Sequence, residues 1–83
     1  MPRYLVLTLR TPNFDLNVVP DHYAFLDRLK SEERLEMAGP FTDKTGGAYL
    51  LKAAHLEEAK QIAFADPLHS SGSSVVTVKE WNA

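Results

Sequence analysis

From Arg3 to Arg10 the side chains alternate: Leu5, Leu7 and Leu9 share one face, and Tyr4, Val6 and Thr8 the other. A period of two is the strand signature, and two largely apolar faces predict a central strand covered on both sides. Thr11-Pro12-Asn13 closes it with turn chemistry. Phe14 to Val19 carries no readable period. The pattern then changes. His22, Phe25, Leu26 and Leu29 recur at i, i+3, i+4 and i+7, while Asp27, Arg28, Lys30 and Ser31 lie mostly off that stripe. This predicts an amphipathic helix with a histidine as the first residue of its apolar face. Pro20 suits the first turn, Asp21 is favourable beside the N-terminal dipole, and the end is expected near Glu33-Arg34.

Leu35 to Phe41 reads as a short strand. Pro40 has no amide to donate, which places it in an edge strand or just past the strand's paired part. Thr42 to Gly47 is a hairpin connection. Ala48 to Ala53 is a strand with Tyr49 and Leu51 on one face and Leu50 on the other. His55 to Asp66 reads as the second helix, with His55 in its cap region, and His69 to Ser74 as a small flexible loop. Val75 to Trp81 is the last strand, Val76 and Val78 facing one way, Val75, Thr77 and Trp81 the other. The order β-α-β-β-α-β predicts an α+β, ferredoxin-like domain over residues 1–83, with a four-stranded antiparallel sheet and two helices on one face. The helix-free face is expected to carry Tyr4, Val6, Tyr49, Leu51, Val75 and Trp81. An open apolar face of that size is covered in solution, so a homodimer through it is expected.

One acid breaks the pattern. Ala59, Ile62, Ala63 and Asp66 keep helical spacing, so Asp66 continues an apolar stripe. Pro67 discourages the helical conformation in the residue before it, which makes Asp66 the expected last helical residue, at the dipole end that repels a carboxylate. Chain direction supplies a partner. If the first strand runs up, the first helix runs down, the second strand up, the third down and the second helix up. The start of the first helix, the end of the second, and Ala38-Gly39-Pro40 then meet at one end of the sheet. A carboxylate holding one ring nitrogen of His22 fixes its tautomer and leaves the other nitrogen free to move a proton. The plain alternative is a hydrogen bond that only locks the two helices together.

Composition narrows the classes. Of 83 residues, 45% are hydrophobic and 24% charged, and the formal net charge is -2. A nucleic-acid binder needs a basic face, so Tyr4 and Tyr49 are not read as base-stacking aromatics. The absence of cysteine removes disulfides, thiolate metal sites and cysteine nucleophiles. No stretch has signal-peptide layout or membrane-spanning length, so a cytoplasmic location without membrane association is expected. His69 follows Asp66 at i+3, but with no further ligand implied, neither a metal nor another cofactor is expected. Ser70, Ser71, Ser73 and Ser74 are read as loop chemistry, because a serine nucleophile needs an oxyanion site and a strained turn.

Pro20-Asp21-His22 before Leu26, Ala38-Gly39-Pro40-Phe41, Glu58-Ala59, Ala65-Asp66-Pro67, Gly72 and Lys79-Glu80-Trp81 run in order along nearly the whole chain. In this the chain resembles the YCII-related (YciI-like) family of the dimeric α+β barrel superfamily. The resemblance implies a dimer, a catalytic His–Asp pair at His22 and Asp66, and relatives that rearrange small ring compounds such as lactones. Where many members have an aromatic after Asp-Pro, this chain has Leu68. Gly39 and Pro40 are expected at a pocket rim through their backbones, with Pro67 and Leu68 beside the substrate. The expected activity is proton transfer, isomerisation or elimination, on a small carbonyl or lactone substrate. The alternative is a non-catalytic dimeric module with a small-ligand-binding or regulatory role.

Overall fold

The alternating run Arg3–Arg10 forms β1 at the centre of the sheet in a computed structural model that describes residues 1–83. The strand order is β2-β3-β1-β4, with β2 at Leu35–Pro40, β3 at Gly46–Lys52 and β4 at Ser74–Glu80. Every neighbouring pair is antiparallel. Helix α1 spans Val19–Ser31, α2 Leu56–Phe64 and α3 Pro67–Ser70, and a 3-10 turn at Leu16–Val18 precedes α1. The fold is the ferredoxin-like α+β arrangement expected from the element order. Pro40 closes β2, and β2 is an edge strand. Gly46 lets β3 start close against β1: a Cβ there would overlap the Thr8 carbonyl oxygen.

The helices cover the face opposite to the one expected. Register pairs Tyr4 with Leu51 and Val6 with Tyr49. All four are buried in one core with Phe25, Leu26 and Leu29 of α1, Ala59 and Ala63 of α2, and Val76. The helix-free face instead carries Leu5, Leu7, Leu9, Leu50 and Val75, together with Arg3, Lys52 and Lys79. Val75 lies there as expected, and Trp81, just past β4, is also exposed. Glu36 bonds Arg3 at 3.2 Å and lies 3.9 Å from Lys52. On β1, β3 and β4 both parities are rich in apolar residues. The tie is broken by which face meets the apolar stripes of α1 and α2, and those stripes lie on Tyr4, Val6, Tyr49 and Leu51.

Two further expectations change. Helix α2 ends at Phe64, and Asp66 opens α3 instead of closing α2. The serine-rich segment is part of the framework. Ser73 is fully buried. Its carbonyl accepts from the Thr11 N–H at 3.0 Å, and its hydroxyl accepts from the Asp15 N–H at 3.3 Å. These bonds tie the segment leading into β4 to the segment that leaves β1. No helix is long and apolar enough to cross a membrane.

Candidate active site

Pro67 shapes the centre of the site. Steric conflict with a following proline ring keeps the preceding residue extended. Asp66 accordingly sits at φ -60°, ψ 129°, as the N-cap of α3. Its Oδ1 accepts the Leu68 N–H at 2.9 Å. The position that looked unfavourable at the end of α2 is therefore a favourable one at the start of α3. Asp66 is completely buried, and a buried carboxylate has to be paired and hydrogen-bonded. Two more donors reach it. The Tyr49 hydroxyl donates to Oδ2 at 3.2 Å, and His22 Nδ1 stands 2.9 Å from both oxygens.

His22 comes from the first turn of α1, on the stripe that continues through Phe25, Leu26 and Leu29. An ionised carboxylate only accepts, so the hydrogen-bond network assigns the proton of the neutral ring to Nδ1. Nε2 has no protein hydrogen-bond partner, and the ring forms part of a cavity wall. Tyr49 is locked as a donor. Burial first, then the charge of Asp66 and the hydrogen bond to it, push its phenol well above the ordinary tyrosine range. Asp66 thus has two fixed donors, the Tyr49 hydroxyl and the Leu68 amide, and the His22 ring as its third partner.

The cavity holds about 170 Å³. His22, Tyr23 and Leu26 of α1 line one wall, and Thr8, Arg10, Tyr49 and Ser74 of the sheet another. Gly39 and Pro40 of the exposed edge strand lie at its rim, and Leu68 closes part of it. Of the substrate-side residues expected from the sequence, Gly39, Pro40 and Leu68 reach the cavity. Pro67 does not line it; it holds the first position of α3 and acts through backbone geometry. His69 does not join His22 and Asp66. Its Nδ1 is 3.1 Å from the Phe64 carbonyl, and its ring stacks on Phe64 at 4.6 Å between centroids. No cluster of three metal-ligating side chains forms anywhere in the chain.

Four cavity residues that bear on its chemistry are not among those expected from the sequence. Tyr49 lies on the helix-covered face, not on the helix-free one expected. Arg10 ends β1, and its guanidinium lies 4.2 Å over the Phe14 ring at the cavity. Phe14 fell in the unreadable stretch. Ser74, expected among the loop serines, starts β4, is buried, and has a hydroxyl without a hydrogen-bond partner. The pairing of Arg10 with Ser74 across β1 and β4 was not accessible without register.

The family model for the YCII-related domain matches residues 3–82. The chain is similar to the protein YjpA of Bacillus subtilis (strain 168), at 58% identity over 81 residues, covering 98% of this chain and 95% of that one. Among solved structures it is similar to 5-chloro-2-hydroxyhydroquinone dehydrochlorinase (TftG) from Burkholderia phenoliruptrix AC1100, in complex with 2,5-dihydroxybenzoquinone. That likeness has a TM-score of 0.81 at 20% identity and covers 96% of this chain and 93% of the other, so it speaks to the fold.

Proposed function

Because the chain belongs to the YCII-related domain family, we propose that it is a small-molecule enzyme working by general acid–base chemistry at His22. Nε2 takes a proton from a C–H or O–H of a bound ring compound. The released electron pair moves into the ring system. In an elimination the leaving group departs with its bonding electrons; in an isomerisation Nε2–H returns the proton to another atom. Asp66 orients the ring and stabilises the imidazolium formed midway, and Tyr49 and Leu68 hold Asp66 in place. Gly39, Pro40 and Leu68 border the substrate. The neighbouring structure is named as a dehydrochlorinase, and loss of hydrogen chloride is an elimination of this kind.

The observation that carries the reading is the asymmetry of His22. Nδ1 is held at 2.9 Å by a fully buried carboxylate, while Nε2 is unpartnered in the wall of a cavity. A brace between helices has no need of a cavity on its far side. The same reading includes a cytoplasmic homodimer joined through the helix-free face, with Leu5, Leu7, Leu9 and Val75 at its centre. The rival is a non-catalytic dimeric ligand-binding or regulatory module in which the pair binds a ligand or braces the helices. The test is turnover of a panel of small hydroxylated and chlorinated ring compounds, starting with 5-chloro-2-hydroxyhydroquinone. On any compound turned over, His22→Asn should lower kcat by about 10²–10⁴-fold while leaving a folded protein. Full activity in a folded His22→Asn variant would end the enzyme assignment at this residue.

A further inference from the structure

Buried hydroxyls are nearly always paired, because an unpaired one forfeits its bonds to water without replacement. Ser74 is the exception in this protein. It is 6% exposed, and its Oγ has no partner. The neighbouring hydroxyl on the same wall, Thr8, is already committed to the Gly47 carbonyl at 3.2 Å. Ser74 pairs in register with Arg10, so the two side chains leave the sheet on the same face, and both line the cavity that holds His22. Arg10 makes no ion pair. Its main-chain N–H is used by the Thr45 carbonyl at 2.9 Å, and its guanidinium rests on Phe14. A free hydroxyl donor beside a fork of cationic donors fits one kind of group, an oxygen carrying negative charge.

We propose that Ser74 and Arg10 form an oxyanion subsite, and that the substrate is a small ring bearing an enolate or phenolate oxygen conjugated with the position His22 deprotonates. This rests on the acid–base reading of His22. When Nε2 takes the proton, the electron pair left behind is delocalised onto that oxygen. Donors placed in advance at the oxygen stabilise the charge as it forms. The hydroxyl of Ser74 is unpaired in the free protein because its partner arrives with the substrate.

The experiment is calorimetric titration at neutral pH with two probes of similar size: 2,5-dihydroxybenzoquinone, whose hydroxyls are ionised there, and hydroquinone, whose hydroxyls are not. The wild type should prefer the anion at least tenfold. Ser74→Ala and Arg10→Gln should each weaken the anion by about tenfold or more, as loss of a hydrogen bond to a charged group does, and leave hydroquinone within about twofold. Ser74→Ala should melt at or above the wild-type Tm, since it removes a hydroxyl that bonds to nothing. His22→Asn should keep the anion preference even where it abolishes turnover, so the subsite and the acid–base assignment fail separately. The subsite is overturned by any of four results. These are no anion binding at millimolar concentration, variants that bind the anion like the wild type, loss of the preference in His22→Asn, or a clear fall in Tm for Ser74→Ala.

Discussion

Replacing Asp66 tests how the site is held together, because three donors converge on one buried side chain. Asp66→Ala removes the N-cap of α3, which costs about 1 kcal/mol. It also strands the Tyr49 hydroxyl, 2% exposed with Asp66 as its only partner, at about 1–3 kcal/mol. His22 can turn to water through the cavity and adds little. The sum is about 2–4 kcal/mol against a total of about 4–12 kcal/mol for a chain this size, so the variant should fold with a much reduced margin. Asp66→Asn keeps one carbonyl oxygen for Leu68 and His22, and Tyr49 can accept from its amide. It should lose about 1–2 kcal/mol, as charged hydrogen bonds become neutral ones. The assay is guanidinium unfolding followed by circular dichroism, on the single variants and on the cycle with Tyr49→Phe. In the Tyr49→Phe background no hydroxyl is left to strand, so Asp66→Ala should cost less there, by about 1 kcal/mol or more. Strict additivity would refute the view that the Tyr49 hydroxyl is a buried member of this network.

Alkaline stability offers a second check. The Tyr49 phenol is raised by burial and by Asp66, so above about pH 10 the unfolded chain loses a proton that the folded chain keeps. Stability should therefore fall as pH rises past that point, with Tyr49 contributing up to about 1.4 kcal/mol per pH unit. Tyr49→Phe should flatten the fall by that amount, and an unchanged slope in denaturant melts from pH 9 to 11 would contradict the buried donor. For the proposed dimer, Leu7→Asp places a charge at the centre of the helix-free face, where Leu7 pairs with Ala48 and Thr77. It should yield monomer or aggregate, and a wild type that sediments as a stable monomer at micromolar concentration would dismiss the interface.

Much of this was legible in the chain. Periods of two and near four placed the four strands and the two longer helices, and chain direction alone brought His22 and Asp66 to one end of the sheet. The local role of Asp66 was harder. Its helical spacing from Ala59 and Ala63 argued for continuation of α2, while the proline that stopped α2 was also starting α3. The covered sheet face was misjudged because Leu5, Leu7 and Leu9 are as apolar as Tyr4, Val6 and Thr8. A signal was available: Arg3, Lys52 and Lys79 all share the parity of the Leu5–Leu7–Leu9 face, and charged side chains are rarely placed in a core. Ser74 and Arg10 were beyond reach because their proximity depends on the register of β1 against β4, which alternation does not specify.

The proton on His22 is the most direct measurement. Long-range proton–nitrogen correlation spectra of protein labelled at its histidine nitrogens report which ring nitrogen is protonated. In the neutral ring, the hydrogen bonds to Asp66 require Nδ1–H with Nε2 bare, and Asp66→Asn should blur that preference into a mixture of tautomers. A wild-type His22 that carries its proton on Nε2, or exchanges between both forms as the Asn variant does, would mean that the buried carboxylate does not prepare the ring to accept a proton from the cavity.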